Sequence, residues 1–203
     1  MVWEDKNGAT RLYLLRHGEV DEQAQKICYG QLDVGLSELG KEQSRELANR
    51  LASESIGALY SSDLIRARYL AECLEEVHGL SPGVTPLLRE RSYGVWQGVE
   101  FEVLYKDRAE EVQAYLSTPD YLVPGGENFS MLRLRVKPWL DEILRQHTGQ
   151  SIAVTTHGGV TRLILSEAMG IPLEKIYSFE QKYCCLNIID YFEGRCRVQL
   201  VNG

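Results

Sequence analysis

The chain has 203 residues, 44% hydrophobic and 25% charged, with a formal net charge of −7, enough for one sizeable core and suited to one domain. No apolar run approaches the roughly 20 residues of a membrane span, and Met1-Val2-Trp3-Glu4-Asp5-Lys6 is charged where a secretory leader would be apolar, so a cytoplasmic protein is expected. The negative balance excludes a general nucleic-acid binder, which needs a basic face, but permits a small anion held by a few converging cations.

Leu12-Tyr13-Leu14-Leu15 is an apolar run too short for a helix and rich enough to be buried on both faces, which predicts an inner parallel strand. It stops at Arg16-His17-Gly18-Glu19, where the strand would leave the sheet. The crevice beyond the carboxyl ends of the strands is where open α/β sheets bind ligands. A loop rich in Asp, Glu, Gln and Gly follows to about Leu36. Ser37 is then the expected N-cap of a helix to about Ser53, in which Leu39, Gln43, Leu47 and Leu51 recur every four residues.

Residues 57–61 read as a second strand, ended by Ser61-Ser62-Asp63, with Asp63 as N-cap of a helix that turns Leu64, Ala67, Ala71 and Leu74 inward. Arg66 falls in the first turn of that helix, where the helix dipole disfavours a cation by some tenths of a kcal/mol. Asp63 and a phosphate held by the helix amides are the two alternatives for the compensating negative charge.

Residues 84–88 read as another strand, followed by a loop with two glycines and large aromatics at residues 89–98. A weak helical pattern over about 100–116, then Pro119, Pro124, Gly125 and Gly126, make about 93–130 a lid-like insertion. A helix is predicted over about 128–147, kinked or split at Pro138. Ser151 to Thr156 is the third clear strand, ending in His157-Gly158-Gly159 before a helical segment to about Met169. Residues 184–191 and 196–201 flank Glu193-Gly194-Arg195 as a hairpin. The expected architecture is a single-domain, three-layer α/β/α sandwich with a mostly parallel central sheet and the hairpin at its edge.

If the three strands lie parallel and adjacent, Arg16, His17, Arg66 and His157 converge at one edge. Two arginines and two histidines together repel one another unless an anion joins them. A phosphoryl group is the natural partner, because arginine forks match its oxygens and their charge must be stabilised during transfer.

Six pieces, in order, carry a resemblance over nearly the whole chain. They are Leu14-Leu15-Arg16-His17-Gly18-Glu19; Gly30-Gln31-Leu32-Asp33 with Leu36-Ser37 and Gly40; Ser61-Ser62-Asp63-Leu64-Ile65-Arg66-Ala67; Leu88-Arg89-Glu90 with Gly94-Val95-Trp96-Gln97-Gly98; Pro124-Gly125-Gly126-Glu127; and Thr156-His157-Gly158-Gly159. In this the sequence resembles the histidine phosphatase superfamily, often named after the cofactor-dependent phosphoglycerate mutases. The resemblance implies His17 as nucleophile, with a backbone carbonyl fixing its tautomer. It implies Arg16, Arg66 and His157 as the grip on the phosphoryl oxygens, their charge favouring neutral His17. Glu90 matches the proton donor to the leaving alcohol, which then activates the water. No metal or other cofactor is implied.

Two departures stand out, for Val20 and Gln23 occupy places where many members carry Thr and Asn. Gln23, Gly158, Glu127 and Asn128 are further candidates for substrate contact, with helix capping the alternative for Glu127 and Asn128. His78 and His147 read as helix-end groups, and Phe101, Tyr105, Tyr115 and Tyr121 are expected to pack as core beneath the lid, with lining the lid as the alternative. The five cysteines lack a C-x-x-C pair and read as small core residues in a reducing compartment rather than a zinc site.

The implied activity is phosphomonoester hydrolysis through phosphohistidine; a mutase and a non-catalytic phospho-ligand binder are the alternatives. Against the mutase, the segment between Glu90 and His157 is shorter than in that branch. Against the binder, the chain keeps both His17 and Glu90. Tyr29-Gly30-Gln31-Leu32-Asp33-Val34 and the run from Phe179-Glu180-Gln181 through Asn187-Ile188-Ile189-Asp190 to Val198-Gln199-Leu200-Val201-Asn202 are similar to α-ribazole phosphatases. That likeness suggests α-ribazole 5′-phosphate, with sugar phosphates and phosphoserine as alternatives. The expected partner is a small phosphorylated metabolite, with no nucleic acid or membrane, and a homodimer is left open.

Overall fold

The computed structural model describes residues 8–118 and 120–203; residues 1–6 and Pro119, on which the leader and one loop expectation rest, lie outside them. In chain order the elements are β1 (Thr10–Arg16), α1 (Glu22–Gln25), α2 (Glu38–Arg50), β2 (Ala58–Ser62), α3 (Ile65–His78), β3 (Gly83–Thr85), α4 (Phe101–Asp107), α5 (Ala109–Ser117), α6 (Phe129–Gln146), β4 (Ser151–Thr156), α7 (Gly158–Met169), β5 (Leu186–Phe192) and β6 (Arg195–Leu200). The sheet runs β3-β2-β4-β1-β5-β6. Strands β3, β2, β4 and β1 are parallel, and β5 is antiparallel to β1 and pairs with β6 as the C-terminal hairpin.

Alternation along β1 explains the layers. Successive side chains of a strand point to opposite faces, so Leu12 and Leu14 join α6 and α7 in one core, whereas Tyr13 and Leu15 join α2 and α3 in another. Ile152 and Val154 of β4 repeat the first face and Ala153 the second. Each fully buried leucine contributes roughly 1.5–3 kcal/mol relative to exposure, and a strand with both faces buried has to sit inside the sheet. Among the described residues no helix is long and apolar enough to cross a membrane.

Local expectations fare unevenly. Ser37 caps α2 by accepting from the Gly40 amide, but Leu39 at the helix start is half-exposed. The predicted strand at 84–88 is shorter, because Pro86 turns the chain into a 3₁₀ turn over Pro86–Leu88. The weak helical pattern over 100–116 resolves into α4 and α5, broken at Arg108. Pro138 lies inside α6 without splitting it, for the helix runs unbroken from Phe129 to Gln146. The carbonyl it leaves unserved is that of Leu134, a residue 77% exposed, where water can take the bond. Around α4 and α5 a third small core gathers Cys28, Trp96, Leu104, Val112 and Val123.

Candidate active site

Strands β2, β4 and β1 are consecutive parallel neighbours, so the residues following each of them meet at one end of the sheet. His17 leaves β1 there. Its amide donates to the Thr156 carbonyl (3.0 Å) and its carbonyl accepts from the Cys184 amide (3.0 Å), which pins the residue on both sides. The ring is buried, and its Nδ1 lies 2.7 Å from the Gly18 carbonyl. A carbonyl can only accept, so Nδ1 carries the proton and Nε2 keeps its lone pair. Burial, then the charges of Arg16 and Arg66, hold the imidazole well below its usual 6.5.

This turn is possible because two glycines meet. A Cβ on Gly18 would lie 2.2 Å from the Gly40 carbonyl oxygen, and one on Gly40 would lie 2.0 Å from that of Glu19. The loop after β1 thus lies directly against the start of α2, which is why Gly40 belongs with the Arg16-His17-Gly18 stretch.

Arg66 is fully buried, and its guanidinium donates to the backbone carbonyls of Leu32 (2.7 Å) and Gly30 (2.6 Å), leaving Nε without a partner. Asp63, one of the two partners the sequence offered, does not bond to it. Asp63 instead takes a two-pronged bond from Arg89 (2.8 and 2.5 Å), and it does not cap α3. That duty falls to Asp33, which accepts from the Ile65 amide at 2.7 Å. Arg16 donates to the Gln181 carbonyl, stacks over Tyr183 at 4.3 Å, and likewise keeps a buried Nε unpartnered.

His157 caps α7 from the end of β4, 5.2 Å from His17 between ring centroids. Its Nε2 lies 2.8 Å from Ser62 Oγ, and its buried Nδ1 has no partner. Burial, then Arg66, His17 and Arg16, push its pKa well below 6.5. Ser62 Oγ already accepts from the Leu64 amide (3.4 Å), so its own proton is free for His157 Nε2. With that bond made, the imidazole carries its proton on the open Nδ1.

Glu90 follows the 3₁₀ turn, in a loop held by bonds from Arg135 to the Arg89 and Glu90 carbonyls and from Thr156 to the Leu88 carbonyl. Its two carboxylate oxygens accept from the Arg91 amide (2.7 Å) and the Gly159 amide (3.0 Å). The Gln31 side-chain amide adds a further tie to this loop, donating to the Glu90 carbonyl at 2.9 Å.

A cavity of about 220 Å³ opens beside Arg16, Glu90, Gly158 and Gly159 and is walled elsewhere by Tyr93, Trp96, Tyr115, Phe129 and Tyr177. Phe101 and Tyr105, expected to pack as core, are 40% and 58% exposed and line this cavity; Tyr115 both lines it and packs on Trp96, and Tyr121 packs on Trp96.

Of the further candidates, only Gly158 lines the cavity. Gln23 is exposed on α1. Glu127 is bound by Arg135 (2.8 and 2.9 Å) and the Ser92 amide (3.0 Å); burial works the other way, yet these partners hold its carboxyl below its usual value. Asn128 caps α6 through the Met131 amide. Glu127 therefore fixes the loop behind Glu90 and Asn128 the start of α6, and neither lines the cavity. His78 lies in the last turn of α3 and His147 caps the end of α6, bonded to Tyr60.

The sequence reading assigned no role to Ser62, Gly159, Arg91 or Arg162. Arg162 had a signal, since it follows Gly158 by four residues and so shares its helix face. The others are recruited by contacts distant in sequence.

The chain is 37% identical over 189 residues to phosphoglycerate mutase-like protein 4 of Arabidopsis thaliana, covering 90% of this chain and 80% of that one. Its structure is similar to a mycobacterial glucosyl-3-phosphoglycerate phosphatase complexed with VO3 (TM-score 0.89, 27% identity, 96% and 100% of the two chains). It is also similar to the α-ribazole phosphatase of Shigella flexneri (TM-score 0.85, 26% identity, 96% of each). The model of the histidine phosphatase superfamily (branch 1) matches residues 12–203, and with the arginines and histidines gathered where β1, β2 and β4 end, the chain belongs to that superfamily.

Proposed function

We propose that this protein hydrolyses phosphomonoesters of small organic alcohols through a phosphohistidine on His17. The observation that carries this reading is the His17 ring, buried with Nδ1 tied to the Gly18 carbonyl, among the buried and partly unpartnered groups of Arg16, Arg66 and His157. In the first step His17 Nε2 bonds to phosphorus as the ester P–O bond breaks, and Glu90 gives its proton to the leaving oxygen. In the second, water bonds to phosphorus, the N–P bond breaks, and Glu90 takes the proton of that water. Arg16, Arg66 and His157 Nδ1 stabilise the charge on the phosphoryl oxygens throughout.

α-Ribazole 5′-phosphate, suggested by the sequence, has in its favour the likeness to the Shigella enzyme and aromatic cavity walls suited to a flat ring.

The test is His17→Ala with an aryl phosphate, alongside an acid quench of the unaltered protein with labelled substrate. The variant should lose turnover, and acid-labile, base-stable label should sit on His17. Comparable turnover in the variant would sink the phosphohistidine reading. Efficient interconversion of phosphoglycerates with little phosphate release would make the protein a mutase.

A further inference from the structure

We propose that Gln181 and Asn187 are positioning residues for Arg16: two buried amides fix the loop whose backbone carbonyl and aromatic ring aim that guanidinium. This rests on the hydrolase reading above and adds to its machinery. Arg16 is oriented by the Gln181 carbonyl, which accepts from Nη1, and by the Tyr183 ring, whose centroid lies 4.3 Å from its Cζ. Neither takes a full negative charge. The cation is therefore aimed without being neutralised, and keeps its charge and its unpartnered Nε for a phosphoryl oxygen. A carbonyl, however, aims only as firmly as its backbone is held. Residues 181–185 lie outside helix and strand, yet they also accept from the Arg16 amide through the Cys185 carbonyl (3.3 Å) and donate to the His17 carbonyl through the Cys184 amide (3.0 Å).

The amide pair holds that loop. On β5, Leu186 and Ile188 face the α2–α3 core and Ile189 and Tyr191 the α6–α7 core, so Asn187 stands where alternation calls for an apolar side chain. It is fully buried, and all of its hydrogen-bonding capacity is used. Its Nδ2 donates to the Leu14 carbonyl (3.0 Å) and to Gln181 Oε1 (2.8 Å), and its Oδ1 accepts from Gln181 Nε2 (2.9 Å) and the Asn202 amide (2.9 Å). Gln181, 2% exposed, is equally satisfied, for Nε2 also donates to the Glu180 carbonyl (2.9 Å) and Oε1 accepts from Cys185 Sγ (3.3 Å). Asn202 closes the network by accepting from the Lys182 amide at 2.7 Å.

A buried polar network with every member satisfied is rigid, whereas an apolar pair would fill this part of the core and leave the loop unfixed. Leu14 lies on β1 with Arg16, so the pair ties the loop to the very strand that carries the residue it aims. Removing either amide leaves the Gln181 carbonyl in place along the chain but free to shift, and the guanidinium shifts with it.

A double-mutant cycle against Arg16 tests this. Binding of inorganic phosphate by calorimetry and inhibition by orthovanadate are measured beside kcat/KM for an alkyl and an aryl phosphate, all well below the melt of each variant. Arg16→Ala should weaken phosphate binding about 10- to 100-fold, the usual worth of a charge-assisted bond. Asn187→Ala should weaken phosphate and vanadate about tenfold and lower kcat/KM for both esters by the same factor, since the proton donor is untouched. On the Arg16→Ala background the same substitution should cost less than about threefold, because the group it aims is gone. Gln181→Ala, in the loop rather than the strand, should reproduce these effects and keeps the test sound if Asn187→Ala does not fold. Unchanged anion affinity in a folded variant, an equal loss with and without Arg16, or a loss confined to the alkyl ester would overturn the positioning role. Absence of turnover in the unaltered protein, with the phosphate-binding cycle as expected, would overturn the hydrolase reading and leave the positioning role standing; absence of phosphate binding as well would overturn both.

Discussion

Gly159→Ala isolates the placement of Glu90 without touching any ionisable group. The added Cβ would lie 2.2 Å from Glu90 Oε1 and 3.2 Å from its Cδ, where ordinary contact begins at 3.4 Å. The carboxylate therefore has to retreat by roughly 1 Å, and a displacement of that size costs about 10²-fold in rate when it misaligns a reacting group. Retreat also loosens the bonds that aim it, from the Arg91 amide at 2.7 Å and the Gly159 amide at 3.0 Å. The backbone at Gly159 is not in the left-handed region, and alanine favours helix over glycine by about 0.5–1 kcal/mol, so the fold should not suffer. The assay compares kcat for an alkyl phosphate and an aryl phosphate, with a thermal melt as control. A loss of about 10²-fold is expected with the alkyl ester and less than about tenfold with the aryl ester, whose leaving group needs less protonation. Glu90→Gln should show the same dependence on leaving group. Alkyl-ester turnover within about threefold of the unaltered protein, at an unchanged melt, would refute the assignment of Glu90 as the proton donor.

Stability should fall on mild acidification, because His17 and His157 are both held well below the usual 6.5 by burial and neighbouring cations. Below pH 6.5 the unfolded chain binds protons that the folded one refuses, so each histidine contributes a limiting slope of about 1.4 kcal/mol per pH unit, lost as pH falls. Denaturant unfolding between pH 7.5 and 5, in phosphate-free buffer, reads this above the carboxylate range, and His17→Gln should roughly halve the slope; a flat profile would contradict the buried neutral pair. Asn128→Ala should cost about 1 kcal/mol by removing the α6 cap while leaving KM for an aryl phosphate within about twofold, and a large KM rise would return Asn128 to the substrate contacts.

What the sequence determined by itself was local in character. An apolar run such as Leu12 to Leu15 has few ways to be buried on both faces other than as an inner strand, so β1, β4 and the abrupt appearance of Arg16-His17 and His157 at their ends could be read directly. Caps at Ser37 and the hairpin turn at Glu193-Gly194 depend on neighbouring residues and were equally legible. Tertiary structure decided which charge meets which. Asp63 was the near partner for Arg66 along the chain, yet it bonds Arg89, while carbonyls from Gly30 and Leu32 hold Arg66. Glu127 and Asn128 follow a motif near the site, but their partners, Arg135, the Ser92 amide and the Met131 amide, turn them to bracing the loop and capping α6. Strand and helix propensities act over a few residues, whereas the partner of a buried charge is chosen by desolvation and geometry once the whole sheet has closed. For the same reason Arg91 and Arg162 could be placed together only when the fold put both against one aromatic cavity.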